Sequence, residues 1–248
     1  MSAMDEVWCV RAGQLPYGRA AELQARLADA RRAGEVPDVL LLLEHPPVYT
    51  KGRRAKPSEL GMGEDWYRMQ GIEVHEADRG GGVTYHGPGQ LVGYPIVSLK
   101  PYGDDVGDYV ARMERVMVES LGEAGVPAQT IPGLTGVWTE GRAPVADPNP
   151  DAARKIGSIG VHVRRGVTTH GFAINVSNDL QPFEWVVPCG IEGVAMTSIS
   201  RELGSEQPLE PFAVVVRERF AQVYEREVVE VEVDELHALI GDAEPSVP

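Results

Sequence analysis

The 248-residue chain is 43% hydrophobic and 24% charged, with a net charge of −14; this excludes a disordered chain and makes nucleic-acid phosphate a poor partner. A chain of this length buries roughly 70% of its unfolded surface without covalent staples, and its two cysteines, Cys9 and Cys189, suit a reducing compartment. The acidic N-terminus does not read as a signal peptide, and the longest apolar run, Val39 to Leu43, is far below the roughly 20 residues of a membrane span. A cytoplasmic protein with no membrane segment is expected.

Gly18 to Ala33 places Leu23, Leu27 and Ala30 on one face at helical spacing, and Gly34 and Pro37 end the helix. Val39 to Leu43 is short and continuously apolar, the pattern of a strand buried on both sides, closed by Pro46-Pro47. Ile72 to His75 predicts a short strand, Arg79-Gly80-Gly81-Gly82 a loop, and Val83-Thr84-Tyr85 a second strand. His86 to Gln90 reads as a turn and Leu91 to Leu99 as another β run. Val106 to Gly122 predicts a helix burying Val110, Met113, Val116, Met117 and Leu121. Glu140 to Ala153 is Pro, Ala and Asp rich and predicts an exposed loop. Lys155 to Val163 and Val167 to Val176 are β runs joined by Arg164-Arg165-Gly166, a hairpin signal. A loop carrying Pro188-Cys189-Gly190 follows, then a helix from Pro211 to Glu225, a strand near Val228 to Val231, and a polar tail from about residue 233 to 248. The order implies an α/β (α+β) fold: a single domain, residues 1–248, with a mixed β-sheet flanked by helices.

Cys189, between proline and glycine, stands where a structural cysteine is less expected, although on the residues alone a half-buried small residue after a proline turn is the simpler reading. Cys9, between Trp8 and Val10 in an expected strand, reads as structural. A nucleophilic thiolate needs a histidine, a helix N-terminus or a cation beside it, and His86, His170 and Lys155 are the candidates. Lys155 would ordinarily be a solvated surface charge, but it opens an apolar β run, where a lysine partly out of water is able to exchange protons. The glycine loop lacks GxxxxGK[ST] and leads into a strand, so it makes a weak nucleotide site. His86, His162, His170 and Cys189 show no metal-ligand spacing.

Five ordered blocks, HPPVYTKGRR (45–54), RGGGVTYHGPGQLVGYPI (79–96), KIGSIGVHV (155–163), THGFAINV (169–176) and VPCGI (187–191), resemble the lipoyl(octanoyl) transferase family over roughly residues 20–225. The resemblance implies a fold similar to the catalytic domains of biotin and lipoate protein ligases. It implies octanoyl transfer from acyl carrier protein to a lysine of the lipoyl domains of 2-oxoacid dehydrogenase complexes and of the glycine cleavage H protein, without ATP, metal or other cofactor. Cys189 would be the acyl-thioester nucleophile and Lys155 its activator. Arg79, Gly80, Gly81, Gly82, Val83, Thr84, Tyr85 and His86, with Ser158, Ile159, Gly160 and Gly171, Phe172, Ala173, would line the acyl tunnel. The competing readings are an ATP-dependent lipoate or biotin protein ligase and a non-catalytic acyl or lipoyl-domain binding module. A basic face of Lys51, Arg53, Arg54 and Lys56, with Arg164 and Arg165, is the expected docking surface for an acidic carrier.

Overall fold

Nine residues form the first strand, β1 (Glu6–Gln14), in a computed structural model that describes residues 6–140, 152–186 and 194–240. Helix α1 (Tyr17–Ala33) ends where Gly34 takes a left-handed backbone, φ 77°, a conformation glycine adopts without a Cβ clash. Strand β2 (Asp38–Glu44) accounts for its own apolar run. Leu40 and Leu42 pack into the core on one face, and Val39, Leu41 and Leu43 into the core on the other, as period-two alternation demands of a doubly covered strand. Each such side chain contributes about 1.5–3 kcal/mol by leaving water.

Strand β3 (Val48–Lys51), helix α2 (Glu64–Met69), strand β4 (Glu73–Glu76) and strand β5 (Val83–His86) come next. The three strands make a small sheet in the order β4-β3-β5, with β3 parallel to β4 and antiparallel to β5. Strand β6 (Gln90–Ile96) returns to the large sheet. Helix α3 (Val106–Glu123) starts at Asp105, whose side chain accepts from the Gly107 and Asp108 amides, satisfying two of the donors that a helix start leaves open. Strands β7 (Ala128–Ile131), β8 (Leu134–Thr139), β9 (Lys155–Arg164) and β10 (Val167–Asn175) are followed by α4 (Gln181–Glu184), α5 (Ile199–Leu203), α6 (Leu209–Tyr224), β11 (Glu227–Glu230) and α7 (Val233–Leu239).

The large sheet has eight strands in the order β11-β1-β2-β6-β10-β9-β8-β7. It is parallel from β11 to β2 and antiparallel beyond. Helices α3 and α6 cover one face through Met113, Val116, Phe212 and Phe220; α1 and Leu236 of α7 cover the other. The β9–β10 hairpin turns at Arg165 and Gly166, φ 52° and 76°, the paired positive values of a two-residue turn that matches strand twist. Among the described residues no helix is long and apolar enough to cross a membrane.

Three sequence expectations change. His86 is the last residue of β5 rather than the start of a turn, and the strand after it ends at Ile96, not Leu99. The expected polar tail contains α7, which inserts one fully buried side chain, Leu236, against the sheet; one apolar anchor in a polar stretch is too little periodicity to read. Glu140 to Ala153 lies almost wholly outside the described residues.

Candidate active site

The small sheet stands over β9 and β10, and a narrow slot of about 30 Å³ runs between them. Strand alternation decides which residues face it. Thr84 and His86 of β5 point into the slot, whereas Val83 and Tyr85 point the opposite way into a separate core with Tyr49, Tyr67 and Phe183. Ser158, Ile159 and Gly160 of β9 and Gly171, Phe172 and Ala173 of β10 form the opposing wall, joined by Arg79, Gly81, Tyr17, Tyr94 and His170. Gly80 and Gly82 line the neighbouring cavity instead.

Arg79 is buried and spends its guanidinium on structure. Its Nη2 donates to the Thr50 carbonyl and hydroxyl, both at 2.6 Å, and its Nη1 to the Gly80 carbonyl at 3.0 Å. The glycine loop is thereby tied to β3 on one side. On the other, the Gly80 amide donates to the Val161 carbonyl at 2.9 Å. A Cβ at Gly160 would meet Arg79 Cδ at 2.9 Å and the Gly80 carbonyl at 3.0 Å, so glycine there is what lets loop and strand touch.

Lys155 opens β9 and is 3% exposed. It lies in a cavity of about 450 Å³ that shares Gly81, Ile159 and Gly160 with the slot. Its Nζ donates to the Thr135 carbonyl at 3.2 Å and sits 5.5 Å from the Trp138 ring centroid, two electron-rich partners that hold an ammonium in a dry place. Gly136 takes φ 113°, and a Cβ there would stand 2.9 Å from Lys155 Cε. The backbone of Lys155 is fixed on both sides: its amide donates to Ala195 at 2.9 Å and its carbonyl accepts from Thr197 at 3.0 Å. The preceding Arg154 forms a buried two-pronged pair with Glu202, both contacts 2.9 Å, and Thr197 also donates to Glu202.

A buried polar chain joins slot and lysine. His86 Nδ1 meets Gln90 Oε1 at 2.7 Å, Gln90 Nε2 donates to Asn175 Oδ1 at 2.9 Å, and Asn175 Nδ2 donates to the Thr197 carbonyl at 2.9 Å. Burial holds the His86 ring well below the usual histidine range. His45, whose Nδ1 donates to the Leu15 carbonyl while its Nε2 accepts from Tyr94, is pushed down to about 4 by burial. His170 is also lowered by burial, against the pull of Asp78, which binds its Nε2 at 2.6 Å and His162 Nδ1 at 2.6 Å.

Of the cysteines, Cys9 is 1% exposed and burial raises its thiol to about 12, so it carries no thiolate. Cys189, with Pro188 and Gly190, lies outside the described residues; Lys155 pairs with Ala195 and Thr197, further along the same chain. Among the described residues no three His, Cys, Asp or Glu side chains group as a metal site. The expected basic face divides. Lys51 is taken up by Glu64 at 2.8 Å and Glu76 at 2.7 Å, while Arg54 and Lys56 edge the lysine's cavity and Arg53 leans on His162. Sequence reading missed Thr135, Gly136 and Trp138, although Pro132-Gly133 between β7 and β8 is a turn signal that would have placed them on a hairpin.

A large mixed sheet and a small sheet closing on a slot, with a buried lysine at one end, define an α/β fold of two sheets around a narrow cleft. The chain matches the family described as lipoyl protein ligase A/B catalytic domain over residues 16–221. It is 44% identical over 222 residues to the octanoyltransferase of Koribacter versatilis, covering 89% of this chain and 85% of that one. To the octanoyltransferase of Rubrobacter xylanophilus it is 48% identical over 199 residues, covering 79% and 84%. Among solved structures, a bipartite lipoate protein ligase from Thermoplasma acidophilum superposes with a TM-score of 0.72 at 18% identity, covering 96% of this chain and 91% of that one. The chain belongs to the lipoyl protein ligase A/B catalytic domain family, and it is an acyltransferase.

Proposed function

We propose that the protein, acting as one catalytic domain, transfers octanoyl from acyl carrier protein to a lysine of lipoyl domains in 2-oxoacid dehydrogenase complexes and in the glycine cleavage H protein, through a thioester on Cys189. The observation that carries this reading is Lys155: a buried ammonium at the end of a narrow slot, its backbone hydrogen-bonded to Ala195 and Thr197, in the stretch that follows Cys189. A cation beside a cysteine favours its thiolate. The thiolate attacks the carrier's thioester carbonyl, the acyl C–S bond breaks, and Lys155 gives its proton to the departing phosphopantetheine thiolate. In the second half the acceptor's neutral amine attacks the enzyme thioester. An amide forms, the C–S bond breaks to regenerate the Cys189 thiolate, and neutral Lys155 takes the amine's proton. The first half exchanges one thioester for another and the second turns a thioester into a more stable amide, so the reaction calls for no ATP, metal or other cofactor.

The acyl chain would lie along Ser158, Gly160, Ala173, Thr84 and His86, displacing the walls of a slot that holds only about 30 Å³ when empty. Mixing the protein with octanoyl acyl carrier protein and measuring intact mass tests the reading. The wild type gains one octanoyl group and Cys189→Ser gains none while keeping its melting temperature. A wild type that takes acyl only from free octanoate and ATP is a ligase, and one that takes none is a binding module.

A further inference from the structure

Strand β9 pairs with β10 from Gly157 to Arg164, but with β8 only at Lys155 and Gly157. β8 leaves it at Gly136, whose φ is 113° and whose amide donates to Glu114 of α3 at 3.2 Å. Thr135, which this register would set opposite Ile159, turns its carbonyl to Lys155 instead. Successive residues of a strand turn their N–H and C=O to opposite edges. Across the two-residue turn Arg164 and Val167 form a hydrogen-bonded pair, so Ser158, Gly160 and His162 also bond β10, while Ile159, Val161 and Val163 face the edge that β8 has left. The Gly80 amide takes the Val161 carbonyl at 2.9 Å. Among the described residues nothing takes the Ile159 N–H, the Ile159 C=O or the Val161 N–H. These groups, donor, acceptor, donor in order, border the cavity of about 450 Å³ that holds Lys155, and Ile159, Gly160 and Val161 are half-buried rather than closed off. A bare strand edge is a template for another extended chain.

We infer that this edge receives the pantetheine arm of the acyl donor, its amides hydrogen-bonded to Ile159 and Val161 as a neighbouring strand's would be. The inference rests on the acyl-transfer reading and deepens it. The arm is unbranched next to the thioester and carries two amides, the nearer one two carbons from the sulfur, so an acyl carbonyl held near Lys155 brings amides into this cavity. An acceptor lysine reaches the same carbonyl through four methylenes and brings no amide so close. Val110 and Leu134 line the cavity and offer apolar contact to the arm's paired methyl groups. Arg54 and Lys56 border it too and suit the phosphate at the arm's outer end, while the Glu59 carboxylate, a third charge in the lining, is engaged by the Val83 amide at 2.9 Å.

The test uses full-length protein and three octanoyl thioesters: of pantetheine, of pantetheine with its far amide replaced by an ester, and of N-acetylcysteamine, which keeps the near amide alone. Acyl-enzyme formation is followed by intact mass and kcat/KM. The wild type should prefer pantetheine to its ester about three- to tenfold, the worth of one hydrogen bond, and N-acetylcysteamine should be poorer still. Val161→Pro deletes a donor that faces away from β10, so it costs the sheet no ladder bond. It should lower the pantetheine-to-N-acetylcysteamine ratio about three- to tenfold; should this variant lose its fold, the wild-type series alone decides. Equal rates from pantetheine and its ester overturn the inference. So does a Val161→Pro enzyme that keeps the thioester ratio but passes its acyl group slowly to a lipoyl domain, since the edge then serves the acceptor. Failure with all three thioesters and with octanoyl acyl carrier protein overturns acyl transfer itself.

Discussion

At one end of the slot Lys155 is held by a carbonyl, an indole ring and backbone bonds on both sides, and its neighbour Arg154 is locked to Glu202 with side-chain exposures of 1% and 8%. At the other end His170 is held by Asp78, whose side chain is 60% exposed. The same two-sheet frame thus holds polar groups in two ways, one between buried partners, the other through a carboxylate that reaches solvent. The difference separates a side chain fixed by buried partners from one whose partner reaches solvent, and it sorts the expected effects of mutation by size.

The largest effect belongs to the dry end. Lys155→Ala should lower turnover by a factor of about one hundred or more, the range of a lost proton-transfer group, with the fold retained. Lys155→Arg should fail nearly as badly, since guanidinium keeps charge but releases no proton near neutrality. Wild-type turnover in either variant would return Lys155 to a packing role. Next, Glu202→Ala removes the carboxylate paired with the buried Arg154 guanidinium and should cost about 3–5 kcal/mol in urea unfolding, whereas Asp78→Asn, at an exposed partner, should cost less than about 1 kcal/mol. Equal losses would erase the contrast between the two ends.

A smaller effect follows from the histidines. His45, His86 and His170 are all pushed below the ordinary value by burial, His45 from 6.5 to about 4. Below pH 6.5 the unfolded chain binds protons that the fold refuses, so the stability of the neutral rings is complete above 6.5 and is lost as pH falls toward 4. The slope is up to about 1.4 kcal/mol per pH unit for each histidine. Thermal melts from neutrality downward should show this decline, and His45→Gln should flatten it; a melting temperature constant to pH 4.5 would contradict the buried neutral rings. The smallest effect lies outside the slot. Arg53→Glu with Arg54→Glu should raise KM for the carrier several-fold and weaken its salt dependence, and an unchanged salt slope would move the docking surface elsewhere.

Much of the frame is legible in the sequence because its signals are local. The run Leu40 to Leu43 announces a strand covered on both faces, and Arg165-Gly166 a tight turn. β7 and β8 are harder: AQTI and LTGVWT carry little apolar patterning, and their order comes from β8 pairing with β9 and β7 with β8. The glycine loop and the β9–β10 blocks point to the slot through resemblance, yet which of Val83 to His86 face it depends on alternation along β5. Tyr17 and Tyr94 reach the slot from α1 and β6, a convergence made by tertiary packing that no motif records.

The clamp on Lys155 also fixes when the site comes into being. Every named wall of the slot, from Tyr17 to Ala173, precedes the Ala195–Thr197 segment and Glu202 that fasten the lysine. Glu202 follows Arg154 by 48 residues, several seconds of synthesis at about 5–20 residues per second. A growing chain therefore carries the residues of the slot before those that fasten its lysine, and the anchored lysine is complete only once Thr197 and Glu202 have been made.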